Sequence, residues 1–427
     1  MRYIGIIILL VLCMTLLLLT SCRINIVKPE PASGNLENQE DINQSSNNFQ
    51  SSSTNNSQGS STGSVEEPVI EDTEEPGTVY PQQWATGDGT VGNSWADDCI
   101  KKAYDAVPAG GTIFLKAGYY KLSSVLYTET KNFNLIGEGM GKSIIVLDTG
   151  NNNYGIWIHE TDYCTLKGFT IDGDDQGDNT KPTIYIRNCN YTIVEDVEAK
   201  NAGTFGIDCA ESSYSYFHNI YAHDNYEHGI HPGANIQGRN TNNVYRDIYC
   251  WDNGNNGFDD FGYQGDENNN VYDNLQCWDN GDFGIALEHL KGCVLSNSFA
   301  SGNGKNGIWL WNSEDIDVYD CFVTLSGGTG IFVNNSDNIS FVNVVSKNNN
   351  GESGIYINNS NGLRFTSCQS YDDRDTPLQE YGISITGDKV KFVELVNCIL
   401  MPNKKSAIYN VSGAIITEAM LVSFYQF

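Results

Sequence analysis

Proline is scarce in this 427-residue chain, with 10 in all, and basic residues are few, 24 Lys and Arg against 53 Asp and Glu. The low Lys and Glu content argues against long helices. A formal charge of −29 excludes nucleic acid and anionic membrane surfaces as natural partners, because both would be repelled. An anionic polysaccharide would be repelled as well, unless a cation intervened. No Cys-x-x-Cys occurs and no His is paired with a Cys, which argues against a zinc site. Asn, Asp and Gly, in contrast, are abundant, and they are the residues of tight turns between short strands.

Gly followed by Ile or Phe returns every 23 to 28 residues through most of the chain: Gly155-Ile156, Gly206-Ile207, Gly229-Ile230, Gly257-Phe258, Gly284-Ile285, Gly307-Ile308, Gly330-Ile331, Gly354-Ile355 and Gly382-Ile383. Thr183-Ile184 and Ala407-Ile408 are degenerate copies. This period marks a solenoid, in which each coil buries its apolar side only against its neighbours. Stacked at about 4.8 Å, some eleven coils make a rod on the order of 50 Å long. Four residues before the repeat Gly stand Asn225, Asn253, Asn280, Asn303 and Asn350, which are expected to form a hydrogen-bonded ladder along the rod.

Residues 1–22 form a targeting segment: Arg2, an apolar run, then Leu19-Thr20-Ser21-Cys22. The last four resemble a bacterial lipobox, which implies lipid on Cys22 and anchoring to the outer face of a bacterial membrane, the only membrane contact expected. Residues 23–79 are polar and small and read as a disordered tether, with the folded domain over 80–427. Ten further Cys recur at roughly repeat spacing, which suits inward positions as small hydrophobes, with one or two disulfides left open.

Ser94 is positioned to cap a helix that starts at Trp95, with Asp97 reciprocating, and Ile100, Ala103, Tyr104 and Val107 on one face. Pro108-Ala109-Gly110-Gly111 ends it, and Thr112-Ile113-Phe114-Leu115 begins a strand. Gly87-Asp88-Gly89, Asp97-Asp98, Ala109-Gly110-Gly111-Thr112 and Ala117-Gly118-Tyr119-Tyr120 together resemble the N-terminal cap of the pectate-lyase-like superfamily. The resemblance implies an all-β, right-handed parallel β-helix with a short cap helix. That superfamily includes polysaccharide lyases, glycoside hydrolases, uronan epimerases, phage tailspikes and non-catalytic adhesins, so fold alone does not choose among them.

Strand alternation sorts the residues that follow each repeat Gly. The first and third positions point inward and are apolar except at Asp260, which either lies buried or swings out through a bulge. The second position points outward and reads Trp157, Tyr185, Asp208, His231, Asp259, Ala286, Trp309, Phe332, Tyr356, Ser384. The fourth adds His159, Arg187, Phe261, Glu288 and Trp311. One face therefore presents Asp208, His231 and Asp259 with Glu288 near by. Trp157, Tyr185, Arg187, His228, Glu288, Trp309, Trp311 and Phe332 are expected to hold the sugar chain. Four of the six His, at 218, 223, 228 and 231, fall within fourteen residues, and His231 alone is in the central column. His223, Trp251 and Trp278 form a second outward column.

Three functions fit this surface. Lyase or C5-epimerase action on a uronic-acid polymer needs a base, here His231, and a positive group or a metal. Asp208, Asp259 and Asp260 are the candidate Ca²⁺ ligands, with the same three and His231 as the catalytic set. His228-Gly229-Ile230-His231-Pro232-Gly233 is similar to the Tyr-Gly-Phe-Asp-Pro-His stretch of mannuronan C5-epimerases, with His231 at the Asp position and Gly233 at the His position. Residues 255–262 are similar to the calcium-binding coil of family 9 pectate lyases, with Asp259 matched and Asn255 and Asn256 replacing two Asp. Inverting glycoside hydrolysis is the second reading, since Asp208 and Asp259, two coils apart, have backbones roughly 9.6 Å apart. The third is a non-catalytic glycan-binding or scaffold lipoprotein. A monomer binding an acidic polysaccharide is expected.

Overall fold

The structure is a computed structural model and describes residues 77–96, 98–148, 154–174 and 181–419. Cys22, the leader and nearly all of the expected tether lie outside the described residues. The fold is the expected parallel β-solenoid. One face is a twelve-stranded parallel sheet that runs in chain order from Leu126–Thr128 to Ser406–Asn410. It has one coil more than the Gly-Ile signature marks, because Leu126–Thr128 pairs with Ile156–His159 without carrying the signature. The remaining strands form a second, twenty-stranded sheet. Thr78–Val79, inside the expected tether, already pairs with Thr112 and Ile113, so the fold begins slightly earlier than composition suggests.

Most coils are bent by an Asn or Asp in a left-handed conformation. In Tyr216–His223 and Val244–Trp251 these are Asn219 and Asp247, both with φ near +50°. Short amides and carboxylates tolerate this region better than other side chains do. The ladder runs through both halves of the strand and skips the bend, pairing Phe217↔Tyr245 and Ile220↔Ile248. The inward side is continuous hydrocarbon and aromatic packing, with Phe217, Tyr245 and Tyr272 stacked on successive coils. All ten described cysteines are buried and free, which fits their reading as small hydrophobes.

The repeat Gly has a packing reason. A Cβ on Gly229 would meet the carbonyl oxygen of Gly257 at 2.6 Å, and one on Gly257 would meet Asn280 Nδ2 at 2.7 Å. Neighbouring coils approach too closely there for any side chain.

The Asn ladder forms with one change. Asn225 Nδ2 donates to Asn253 Oδ1 at 2.9 Å, Asn253 to Asn280 at 2.9 Å and Asn280 to Asn303 at 3.0 Å. Asn350 does not join it. Asn349 accepts from the Ser326 backbone N–H instead, while Asn350 accepts from Arg374. The interval to Gly354 is one residue longer in this coil, which moves the ladder position back by one. Asn253→Ala leaves the backbone N–H and amide of Asn225 without their buried acceptor. A loss of about 2 kcal/mol in urea unfolding is expected, since unsatisfied buried donors cost about 1–3 kcal/mol each.

The cap helix is shorter than expected, Cys99–Ala106 in place of a start at Trp95. Trp95 instead bridges to Tyr120 in parallel-strand fashion and packs on its ring. Asp98, left-handed and making no side-chain cap, precedes the helix, and Asp97 lies outside the described residues. The strand at Thr112–Leu115 is as expected.

Candidate active site

The register of the twelve-stranded sheet aligns the outward column. Trp157 pairs with Tyr185, Tyr185 with Asp208, and Asp208 with His231. After the next coil, Asp259 pairs with Ala286, Ala286 with Trp309 and Trp309 with Phe332. Glu288 sits in the parallel column between Phe261 and Trp311. Between Ile230–Gly233 and Phe258–Phe261 the pairing is kept at the two ends, Ile230↔Phe258 and Gly233↔Phe261. Pro232 in that interval has no N–H to offer the ladder.

Two imidazoles define the centre. His231 Nδ1 lies 3.4 Å from Asp208 Oδ1. A carboxylate only accepts, so Nδ1 carries the proton and Nε2 keeps its lone pair. His228 Nδ1 accepts the Asn256 backbone N–H at 3.0 Å, which puts its proton on Nε2, 3.5 Å from Asp259 Oδ2. Phe205 stacks on both rings, with centroids 5.1 Å from His228 and 4.5 Å from His231. Asn256 completes the frame: its amide donates to Asp259 Oδ2 at 2.8 Å and its carbonyl accepts the Phe283 backbone N–H at 3.0 Å.

The same neighbours set the proton affinities. Burial alone would lower the His231 pKa, but the Asp208 hydrogen bond and charge, helped by Asp259 and Asp260, hold it above the ordinary value. His228 is pushed down to about 3 by burial and then by His231, so it stays neutral. Burial raises Asp259, against the pull of His231 and the Asn256 bond. Glu288 is pushed up to about 7 by burial and then by the charge of Asp259. Asp259 Oδ1 is buried without a hydrogen-bond partner.

Asp260 does not join this face. It is fully buried on the inward side, where its carboxylate accepts from Asn240 Nδ2 at 2.5 Å, Asn270 Nδ2 at 3.2 Å and the Tyr272 hydroxyl at 2.5 Å. Strand alternation keeps Asp260 inward while its neighbour Asp259 faces out, and the three donors make burial tolerable. It cannot touch a sugar, so its placement in the catalytic set is corrected.

A shared Ca²⁺ site of Asp208, Asp259 and Asp260 does not fit either. Asp260 faces the core with its oxygens engaged, and Asp208 is turned to His231. Among the described residues, the only group of three whose ligand atoms converge is Glu129, His159 and Glu160, at the other end of the aromatic column.

The aromatic flanks are in place. Trp157 packs with Tyr154 and Tyr185 at 4.7 and 5.6 Å between centroids. Trp309 packs on Phe283 and Trp311 at 4.5 and 5.5 Å, and Phe332 stacks on Tyr356. Arg187 is tied to Glu211 at 3.3 Å. The sequence cluster of four His separates: His218 lies between Glu195 and Asp247, and His223 between Glu198 and Asp224, both on the other sheet. There His223, Trp251 and Trp278 stack at 4.1 and 5.1 Å as their spacing suggests.

Phe205 escaped the sequence reading, and Asn256 entered it only as a replacement for an Asp of the calcium-binding coil, not as part of this frame. Both stand one residue before a repeat Gly, a column that also holds Tyr154, His228 and Phe283. Extending the same ruler by one position would have found them.

Comparison with known proteins places this geometry. The family model described as "Pel9A-like, right handed beta helix region" matches residues 78–292, and a model described as "Right handed beta helix region" matches 264–418. Pectate lyase PEL9 of Emericella nidulans is 29% identical over 153 residues, covering 35% of this chain and 33% of that protein. Mannuronan C5-epimerase AlgE2 of Azotobacter vinelandii is 29% identical over 186 residues, covering 36% of this chain and 18% of that protein. The chain thus spans about a third or less of either relative. The A-module of Azotobacter vinelandii mannuronan C-5 epimerase AlgE6 superposes with a TM-score of 0.60 at 18% identity, covering 82% of this chain and all of that one, which supports the fold. With a model match over just over half of its length, the chain belongs to the Pel9A-like right-handed β-helix family.

Proposed function

We propose that the protein acts on a uronic-acid-containing polysaccharide as a lyase or C5-epimerase, by taking the proton at C5. The Asp208–His231 pair carries this reading: the carboxylate fixes the tautomer and leaves Nε2 free as a base in the middle of an aromatic-flanked face. The kinship with a pectate lyase and a mannuronan C5-epimerase supports it.

In this scheme His231 Nε2 takes the C5 proton. For elimination, the C5–H electron pair forms the C4=C5 double bond, the C4–O bond breaks, and the leaving oxygen takes a proton from water. For epimerisation, water delivers a proton to C5 from the opposite face. Negative charge grows on the uronate carboxylate in both cases. Glu288, protonated near neutral pH, donates a hydrogen bond to it, a role that a carboxylic acid kept neutral by burial can fill. No step is assigned to a metal, because the three Asp do not converge. Export and lipid anchoring through Cys22 belong to the same proposal and put the site on the outer face of the membrane.

Inverting hydrolysis is the second reading, favoured by the raised Glu288 as a general acid near Asp259. One assay separates the two. The protein is incubated with polygalacturonate, alginate and neutral glycans, with Ca²⁺ and with chelator. Ultraviolet absorbance from unsaturated ends supports elimination, altered C5 configuration supports epimerisation, and new reducing ends without either would contradict the proposal. The pH profile has a defined sign. His231 must be neutral, so activity rises as pH passes its elevated pKa. Glu288 must be protonated, so activity falls above about 7. A narrow bell near neutrality is expected, and Glu288→Gln should remove its alkaline limb.

A further inference from the structure

Beside Glu288 the outer face opens into a cavity of about 350 Å³. Asn235, Phe261, Gly262, Tyr263, Gln264 and His289 line it. Phe261 is the ladder neighbour of Glu288, and His289 follows Glu288 in the chain, so the cavity adjoins the reacting face. His289 has a left-handed backbone, φ 55°. Its ring packs edge-on against Phe261 at 5.0 Å and Trp311 at 4.8 Å. Its Nδ1 is buried with no hydrogen-bond partner. A buried polar atom left unpaired costs about 1–3 kcal/mol, and a turn of the ring toward the cavity would let a ligand hydroxyl recover it.

The composition of the cavity specifies its guest. Phe261 and Tyr263 offer apolar surface for the C–H face of a ring, and Asn235, Gln264 and His289 offer hydrogen bonds for hydroxyls. No lining residue carries a formal charge. Burial lowers the His289 pKa and keeps its imidazole neutral. Two carboxyls adjoin the cavity, Glu288, which precedes His289, and Asp266, which accepts the Gly238 backbone N–H. A sugar carboxylate in this cavity would find no cation among the lining residues and two acidic neighbours, a loss of electrostatic complementarity.

We infer that this cavity is a subsite for one uncharged pyranose residue, adjacent to the uronate held at His231 and Glu288. The inference rests on the proposed function and narrows it. The substrate class becomes a polymer in which a uronate neighbours a neutral or esterified sugar, in contrast to an uninterrupted polyuronate.

The test reads the imidazole directly. The chain has six His, so the ring nitrogens of the full-length protein, ¹⁵N-labelled at histidine, are resolvable by NMR, with His289→Gln giving the assignment. Methyl galactoside, methyl mannoside, methyl glucoside and methyl galacturonate are titrated separately to about 0.1 M, which reaches the weak affinity of a single sugar. At least one neutral pyranoside should shift the His289 Nδ1 resonance saturably, with the galacturonate at least about fivefold weaker, a difference of about 1 kcal/mol. Gln264→Ala and Tyr263→Ala should weaken that response. No shift with any neutral pyranoside, or an equal shift with the galacturonate, would overturn the subsite. Absence of turnover on polymers of mixed neutral and uronate backbone as well as on polyuronates, with the His289 response intact, would instead sink the proposed chemistry and leave the subsite standing.

Discussion

His231→Ala should lower kcat/KM on a responsive polyuronate by about a thousandfold, with the far-UV spectrum unchanged. General-base catalysis contributes about 10²- to 10⁴-fold, or roughly 3–5 kcal/mol of transition-state stabilisation. The side chain is outward, between Asp208 and Asp259 on neighbouring coils, so its loss leaves the core intact. Asp208→Asn tests the same dyad from the other side. An amide at Asp208 can donate to Nδ1 and so stabilise the wrong tautomer, with Nε2 protonated, and the rate should fall without a matching rise in KM. Full activity in His231→Ala would show that the central column is not the active site.

Asp260→Ala should destabilise the protein by about 3 kcal/mol in urea unfolding at pH 5, with the amides of Asn240 and Asn270 and the hydroxyl of Tyr272 all losing their acceptor. The pH dependence is more diagnostic. Burial, offset in part by the Tyr272 and Asn240 bonds, pushes the Asp260 pKa from 3.8 up to about 6. The folded state therefore binds this proton more tightly than the unfolded chain does. The stability it contributes is complete below about pH 4 and is lost as pH rises through about 6, on the order of 3 kcal/mol in all. The gap between wild type and Asp260→Ala should accordingly narrow from pH 5 to pH 8. A gap that widens would mean that Asp260 is stabilised as an anion.

The solenoid and its outward column were legible because the Gly-Ile period fixes the register and alternation does the rest. A Cβ at Gly229 or Gly257 would strike the next coil, so the signature is imposed by packing. The details that escaped lie where the ruler stops. Asn349 replaces Asn350 because one coil carries an extra residue, and Phe205 and Asn256 sit just before the strand, where alternation no longer assigns a direction. Four His close in sequence divide between two sheets, because a coil of 23 to 28 residues turns through every face of the rod. Asp260 was recognised as anomalous, but its partners come from two other stretches of the sequence, Asn240 from one and Asn270 and Tyr272 from another. Only their convergence in space distinguishes a core clamp from a catalytic acid.

Isotope incorporation at C5 is the most direct test of the proposed chemistry. Polygalacturonate, alginate and a pectin of mixed neutral and uronate backbone are incubated in D₂O with wild type and with His231→Ala, and products are read by NMR. Wild type should yield unsaturated C4=C5 ends or deuterium at C5 on at least one of these polymers, and the variant neither. Cleavage that leaves C5 protonated and saturated, or C5 exchange that persists without His231, would contradict proton abstraction by this histidine.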